Sequence, residues 1–540
     1  MSRMHEFDFV VVGGGSAGCV VAARLSEDAS VDTCLLEAGP SDWNPLYRVP
    51  MLAGRLYRAR PNNWFYETEP QPHLDGRRIF WPRGRMLGGS FIFNGMVYIR
   101  GSAADFDGWA QRGNPGWSHA DVLPAFRKSE GFAGPADRHH GTDGPLPVTP
   151  ASRAYGLFDR FVEAGVAAGH PLNPDFNGDR QAGVGFYHFN ILNGRRQTTA
   201  TTFLAPARRR RNLTVRPSVR ALRLVVEGGR IAGVEVLSGG RTTVVRARRE
   251  VILCAGAVNT PQLLLLSGIG PAGHLASVGI RTLHDLPGVG ENLHDHLDVA
   301  PAFACLQPVS MVDNLRLDRF ALNLLRFAAT GAGPAGASPI QAGGFFASRD
   351  GLEAPDLQAF LLPIAATNAA LWMPLPGRRR PTDTFSIRIG PIRPQSRGHL
   401  RLRSADPLAA PLIQPNYLAA EADMAATVAG VRLVRDLVAG RAFDGIRGPE
   451  LAPTAAARSD AEIAAWVRAT ASSVYHPVGT ARMGPDPMAV VDARLKLRGL
   501  DGLRIADASV MPDIVSGNTN AATIMIGERA AAFALADART

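Results

Sequence analysis

A glycine triplet, Gly13-x-Gly15-x-x-Gly18, stands between an apolar run at residues 7–12 and a second run with helical spacing at 16–25. No other feature constrains the fold as strongly. Residues 7–12 are short, Val-rich and apolar but for Asp8, the pattern of a parallel strand covered on both faces. Gly13 permits a tight turn, Gly15 leaves room for a pyrophosphate, and Gly18 lets the next helix lie close to the sheet. Ser16 and Ala17 open that helix, where free N–H groups and the positive end of its dipole suit phosphate. A second strand over residues 33–37 ends in Glu37, 19 residues beyond Gly18 and followed by Ala38. A carboxylate there accepts both ribose hydroxyls. This order describes a β-α-β dinucleotide site. The acid disfavours a 2′-phosphate, hence NADP, but does not separate NAD from FAD.

At 540 residues the chain is too long for one ordinary core, and two large units are expected. With 46% apolar and 20% charged residues it reads as globular. The net charge of +10 comes from dispersed arginines, with short runs at 208–211 and 378–380. No basic stretch interleaves with aromatics and no nucleic-acid motif is present, so no nucleic-acid partner is expected. Weak peripheral membrane contact is the secondary reading of the charge. Cys19, Cys34, Cys254 and Cys305 form no C-x-x-C pair and lie in apolar runs, which suits a reducing compartment. His294 and His296 lack a third ligand, so no metal is expected. The charged start of the chain carries no secretory apolar segment, and no run is long enough to span a bilayer. A cytoplasmic protein is expected, with membrane association as the alternative.

Residues 40–83, rich in Pro, Asn and aromatics, read as extended loop. Residues 210–224 and 230–255 read as strands about the turn Glu227-Gly228-Gly229, and 260–266 as helix. From about 300 to 465 long Ala/Leu stretches and frequent prolines mark a second unit. The tail returns to strand (503–506), loop (509–520) and helix (523–536).

Further motifs separate the two dinucleotides. Residues 81–90 (WPRGRMLGGS) with 94–101 (NGMVYIRG) resemble the first signature of the glucose–methanol–choline oxidoreductases. Residues 256–262 (GAVNTPQ) with 267–271 (SGIGP) resemble the second, and 289–296 (VGENLHDH), 475–480 (YHPVGT) and 506–509 (ADAS) complete the set in order. The chain looks most like the bacterial FAD-linked primary alcohol dehydrogenases, near the choline and sorbose dehydrogenases. The resemblance implies an α/β fold with a discontinuous Rossmann-like FAD-binding domain (1–155, 194–305, 467–540). An α+β substrate-binding domain with a mixed or antiparallel sheet would take 156–193 and 306–466. By the same resemblance Arg83, Gly88, Gly89, Asn94, Gly95, Met96 and Val97 lie along FAD. Ala221 lies at the adenine, Ala255 elsewhere along the cofactor, Asp507 and Ala508 at the ribityl-pyrophosphate, and Thr519 and Asn520 at the pyrimidine end of the flavin.

Oxidising an alcohol requires a proton taken from oxygen and a hydride moved from carbon to flavin N5. His476 occupies the family's catalytic-histidine position, and histidine titrates near working pH. Asn518 occupies the second position; an amide is no base but can orient the substrate oxygen. Val474 and Tyr475 are expected beside the substrate. One departure stands out. Where the family has two small residues and an aliphatic one, this chain has Phe91, Ile92 and Phe93, expected to line the substrate pocket or to repack the core. Phe93 also occupies the place where some members bear a histidine linked to FAD, so non-covalent FAD is expected. The expected reaction is oxidation of a primary alcohol to an aldehyde, with a quinone or oxygen as acceptor. Choline, a sugar or polyol, or an oxygen-using alcohol oxidase are the alternatives, followed by a non-redox flavin lyase.

Overall fold

The computed structural model describes residues 5–41, 44–58, 60, 62–375 and 379–539; residues 1–4 of the charged N-terminus and Arg378 of the second arginine run lie outside the described residues. The glycine-flanked unit forms as its pattern predicts: β1 (His5–Val12), α1 (Ser16–Leu25) and β2 (Thr33–Leu36). β1 pairs in parallel with β2, Phe9 opposite Thr33 and Val12 opposite Leu36. Phe9, Val10, Val11 and Val12 are all buried, which is why this run shows no polar alternation. On its other side β1 pairs in parallel with Arg241–Leu253, and Leu213–Arg216 extends the sheet beyond β2. Leu503–Ile505 pairs with the end of Arg241–Leu253, so both ends of the chain meet in one seven-stranded sheet.

Arg220–Glu227 and Arg230–Ser238 complete that sheet in antiparallel fashion. The single strand expected over 230–255 is instead a hairpin, turning at Gly239 and Gly240 with φ of 54° and 76°. Its Gly-Gly pair is the same turn chemistry as Gly228-Gly229. The helix Asn520–Arg539 lies along α1 in the same direction. Ser16 Oγ donates to Asn520 Oδ1 at 2.7 Å, and Arg24 meets Glu528 at 2.8 Å. Both helix N-termini therefore open at the same end of the sheet, beyond the carboxyl ends of its parallel strands.

A six-stranded sheet forms the second unit, in the order Arg447–Glu450, Ala302–Cys305, Thr384–Pro391, Leu357–Leu362, Ala342–Phe346, Gly183–Phe186, every pair antiparallel. Ala302–Cys305 belongs here, so the boundary expected at 305 falls too late by one strand. Period-two alternation sorts the central strands. Phe385, Ile387 and Ile389, with Leu357, Ala359 and Leu361, are buried on one face, towards the helix Glu421–Ala439. Gly430 makes that approach possible, since a Cβ there would stand 2.8 Å from Ile389 Cγ1. The opposite row, including Phe360, Leu362, Ser386 and Arg388, borders the cavity between the units. The stretch 40–83, expected as loop, holds short helical turns (Pro45–Arg48, Pro50–Leu52, Ala53–Leu56) and the paired strands Tyr66–Glu67 and Phe80–Trp81. Among the described residues no helix is long and apolar enough to cross a membrane.

The close packing of α1 on β1 sets a prediction. A Cβ on Gly18 would lie 1.8 Å from Gly13 O, whereas one on Gly108 meets nothing within 4 Å. Gly18→Ala is expected to cost at least ~1–3 kcal/mol, read as a lowered thermal unfolding midpoint. Gly108→Ala, inside the helix Ala103–Gln111, should leave the midpoint unchanged or raise it.

Candidate active site

A cavity of about 940 Å³ opens beyond the parallel strands and runs on to the six-stranded sheet. That is near the upper end of the ~300–1,000 Å³ usual for ligand pockets. At its first end lie Gly13, Gly15, Ser16, Ala17, Glu37, Ala38, Ala221 and Ala255. Gly13 has φ of 102°, and a Cβ there would stand 2.5 Å from Cys254 O. Gly15 is different: nothing comes nearer its Cβ position than 3.9 Å. Glu37 is buried and accepts from the Gly14 and Gly39 N–H groups, both at 2.8 Å, while burial pushes its carboxyl up. Each oxygen takes one backbone donor and keeps acceptor capacity for a ribose. α1 begins at Gly15 with no side chain capping it, so its N–H groups stay available to a phosphate.

A second glycine loop crosses the first. A Cβ on Gly89 would lie 2.7 Å from Gly15 Cα. Arg83, Gly89, Asn94, Gly95, Met96, Val97, Asp507, Ala508, Thr519 and Asn520 line the middle of the cavity. Gly18 and Gly88 do not reach the wall: Gly18 is tucked behind Gly13, and Gly88 donates its N–H to Gly14 O at 2.8 Å. Asp507 is committed to the fold, accepting from Gly256 N at 2.9 Å and Thr260 Oγ1 at 2.6 Å, and so caps the helix Gly256–Leu266. Asn94 is held by Arg196, whose Nη1 donates to Asn94 O, Asn94 Oδ1 and Phe91 O at 2.7, 2.8 and 3.1 Å. Burial pushes the Arg196 guanidinium down to about 9. A ribose acceptor, an uncapped helix start and glycines with no room for a Cβ together fit an adenine dinucleotide laid from Glu37 towards His476.

The three bulky residues split. Phe91 and Phe93 are buried and border the cavity. Ile92 does not, contrary to expectation. The short turn Gly89–Ile92 puts successive side chains on different sides, and Ile92 faces the back of Gly88, 3.0 Å from its Cβ position. Phe93 stands 6.2 Å from the Tyr47 ring and offers no atom for a covalent bond to a cofactor.

At the far end Val474, Tyr475, His476 and Asn518 come together. Tyr475 sits at a φ of 68°, a left-handed conformation that costs a bulky residue ~1–3 kcal/mol. Asp295 holds it there. One carboxylate oxygen accepts from His476 N at 2.6 Å; the other accepts from Ser473 Oγ and Tyr417 OH, both at 2.5 Å. Arg83 Nη2 donates to Tyr475 O at 2.6 Å, and Trp81 Nε1 to Tyr417 OH at 3.0 Å.

The same geometry decides the proton positions on His476. His296 Nε2 lies 3.1 Å from Ile392 O, and a carbonyl only accepts, so this nitrogen carries the hydrogen. Burial lowers His296 to about 4, so the ring is neutral and its Nδ1 is a bare acceptor. That Nδ1 lies 3.0 Å from His476 Nδ1, which must therefore donate. The lone pair of His476 is left on Nε2, 3.4 Å from Asn518 Nδ2. Gln358 Nε2 in turn donates to Asn518 Oδ1 at 3.4 Å, fixing the amide's orientation. Burial first, then the neighbouring His296 ring and the charges of Arg83 and Arg388, hold His476 well below the ordinary histidine value. His294 is spent on the fold: it bonds Asn292 O at 2.7 Å and accepts from Ile514 N at 2.8 Å.

Asp295, His296, Gln358, Arg388 and Arg196 were not foreseen as parts of the site. Gln358 was traceable as the lone polar residue of LQAFLL and Arg388 as the lone charged residue of TFSIRIGP. Asp295 and His296 sit inside a motif already quoted.

Comparison with known proteins fits this geometry. The model for the GMC oxidoreductase family matches residues 7–298 with its N-terminal part and 394–527 with its C-terminal part. The chain belongs to the GMC oxidoreductases. An oxygen-dependent choline dehydrogenase from Brucella ovis is 41% identical over 527 residues, covering 97% of this chain and 95% of the relative. That from Paraburkholderia phymatum is 43% identical, covering 97% and 92%. Among solved structures, pyridoxine 4-oxidase from Mesorbium loti superposes with a TM-score of 0.87 at 32% identity, covering 97% and 98%. Formate oxidase of Aspergillus oryzae superposes at 0.91 and 28%, covering both chains completely. As a GMC oxidoreductase the chain is an FAD enzyme acting on CH–OH groups, and the expected α/β fold and FAD are borne out.

Two outcomes follow from the histidine pair. The unprotonated His476 imidazole should survive as pH falls through 6.5, the ordinary histidine value. The acid limb of the profile for anaerobic flavin reduction is therefore expected below that pH. His296→Ala should slow reduction by up to ~10²-fold through misorientation, and His296→Asn, which restores an acceptor for Nδ1–H, should recover part of the loss.

Proposed function

We propose that this enzyme oxidises a primary alcohol to an aldehyde at the far end of the cavity, with His476 as base and Asn518 as the group that orients the hydroxyl. The observation that carries the reading is the bare Nε2 of His476, aimed at the Asn518 amide and held by two independent hydrogen bonds, one from its ring and one from its backbone. An alcohol placed between the two side chains donates its O–H to Nε2 and accepts from the Asn518 amide. The neutral imidazole takes the proton; Nδ1–H stays on His296 throughout, so the ring need not flip. When bound, FAD supplies the ring that accepts the hydride. Glu37 and the uncapped start of α1 suit its ribose and phosphates, and Gly89, Gly95 and Met96 suit the approach of its flavin.

The electrons leave to oxygen or a quinone. Oxygen is supported by the relatives, which include an oxygen-dependent choline dehydrogenase and pyridoxine 4-oxidase. Weak membrane contact finds support in the helix Leu317–Thr330, where Leu322 and Leu325 are exposed beside Arg319 and Arg326. The free cysteines support a reducing, cytoplasmic setting.

Anaerobic stopped-flow reduction of the bound flavin tests the catalytic reading. His476→Ala should lower the reduction rate constant by ~10²–10⁴ with flavin content retained, and Asn518→Ala by roughly tenfold, the worth of one hydrogen bond. Equal rates in wild type and His476→Ala would overturn the assignment.

A further inference from the structure

The reactive end of the cavity carries a cation that the oxidation itself does not require. Arg388 lies on the strand Thr384–Pro391 and, with Ser386, lines the cavity, while Phe385, Ile387 and Ile389 point to the opposite face. Asp298 grips the guanidinium from behind, Nε to Oδ2 at 2.5 Å and Nη2 to Oδ1 at 2.6 Å. The pair is asymmetric: the side chain of Arg388 is 31% exposed and that of Asp298 only 5%. The ion pair therefore shows the cavity its positive side. The fork uses two of the five guanidinium N–H groups, and no described acceptor takes the other three.

Register places this cation relative to the base. Arg388 stands opposite Phe360, and Gln358, on the same face of that neighbouring strand, reaches Asn518. Diagonal neighbours across a strand pair lie ~7–8 Å apart. The guanidinium thus projects beside Gln358 from the same face of the sheet, near enough for its charge to act on His476. Asp298 and Asp295 lie behind the wall at this end and do not line the cavity. Among the described residues only Glu37 and Asp507 bring a carboxylate to the cavity wall, both at the dinucleotide end and both hydrogen-bonded there. Tyr57 and Tyr475, with ring centroids 5.9 Å apart, could cradle a cationic ligand, but Arg388 already sets its charge beside both rings.

Resting on the proposed oxidation at His476, we propose that Arg388 determines specificity and that the substrate is a hydroxymethyl-arenecarboxylate rather than a quaternary ammonium alcohol. The carboxylate bridges the free N–H groups of Arg388 in a planar fork, Phe360 and Leu362 pack against the ring, and the CH₂OH reaches His476. A quaternary ammonium group in the same place meets the positive side of the pair, with the Asp298 carboxylate turned away behind the guanidinium.

The test uses the FAD-loaded enzyme and two readouts. Benzoate and benzyltrimethylammonium, neither of which is oxidised, are titrated against the flavin absorbance spectrum; benzoate is expected to bind at least roughly tenfold tighter. Separately, kcat/KM is measured for 4-(hydroxymethyl)benzoate, benzyl alcohol and choline, with the carboxylate expected first. Arg388→Gln strands a buried Asp298, so the double variant Arg388→Gln/Asp298→Asn is made beside it. In whichever variant retains flavin, the kcat/KM ratio of 4-(hydroxymethyl)benzoate to benzyl alcohol should fall at least roughly tenfold. Tighter or equal binding of the ammonium ligand, a preference for choline, or a ratio unmoved in a flavin-loaded variant overturns the proposal. If no alcohol reduces the flavin, the oxidation reading fails, while the two titrations still decide what Arg388 prefers.

Discussion

The buried carboxylate of Asp295 is the constraint on which the site depends. It reaches the His476 backbone, Ser473 and Tyr417 at once, and Tyr417 also receives Trp81 from the first signature. Burial alone would favour the neutral acid, and burial does raise its pKa; three donors and the nearby Arg83 charge oppose that. A carboxylate so placed turns a strained tripeptide into a fixed platform. Without it the left-handed Tyr475 has nothing to offset its cost, and the base loses its aim. The chemistry of the far end is thus a property of backbone position first and of imidazole second.

Charge is arranged with the same economy. Among the described residues no carboxylate bonds the imidazole of His476, whose ring partners are His296 and Asn518. Two arginines and a second histidine lower its affinity for a proton. Such surroundings suit a base that must begin empty, and they favour negative charge developing on an oxygen beside it. The arginines are themselves restrained, Arg388 by Asp298 and Arg83 by the carbonyls of Tyr475 and Pro82.

What could be read from the residues alone was whatever local chemistry determines. The glycines of the first loop and Glu37 followed from their spacing, and β1 from a short Val-rich run ended by glycines. His476 and Asn518 followed from motif order. The strand at Ala302–Cys305 was misassigned because only pairing with remote strands settles which sheet owns it. Ile92 was misplaced because a turn of four residues rotates neighbouring side chains to opposite sides. The tautomer of His476 was beyond sequence altogether: it depends on a carbonyl at Ile392, and a carbonyl is present at every residue. Arg388 was visible as the lone charged residue and Gln358 as the lone polar residue of their strands, yet their common face emerges only from the register between Leu357–Leu362 and Thr384–Pro391.

The meeting of the two chain ends in one sheet has a consequence for how the enzyme is made. β1 and α1 leave the ribosome long before Leu503–Ile505 and the helix beginning at Asn520. Domains of most proteins fold in order of synthesis; here β1 must wait for those two distant segments before its cofactor cleft has a second wall. A chain abandoned late in translation therefore has its glycine loop but lacks Asn518, Asn520 and the companion helix of α1. It is left with apolar surface that only the missing piece can cover, a form that quality-control machinery can tell from the finished enzyme.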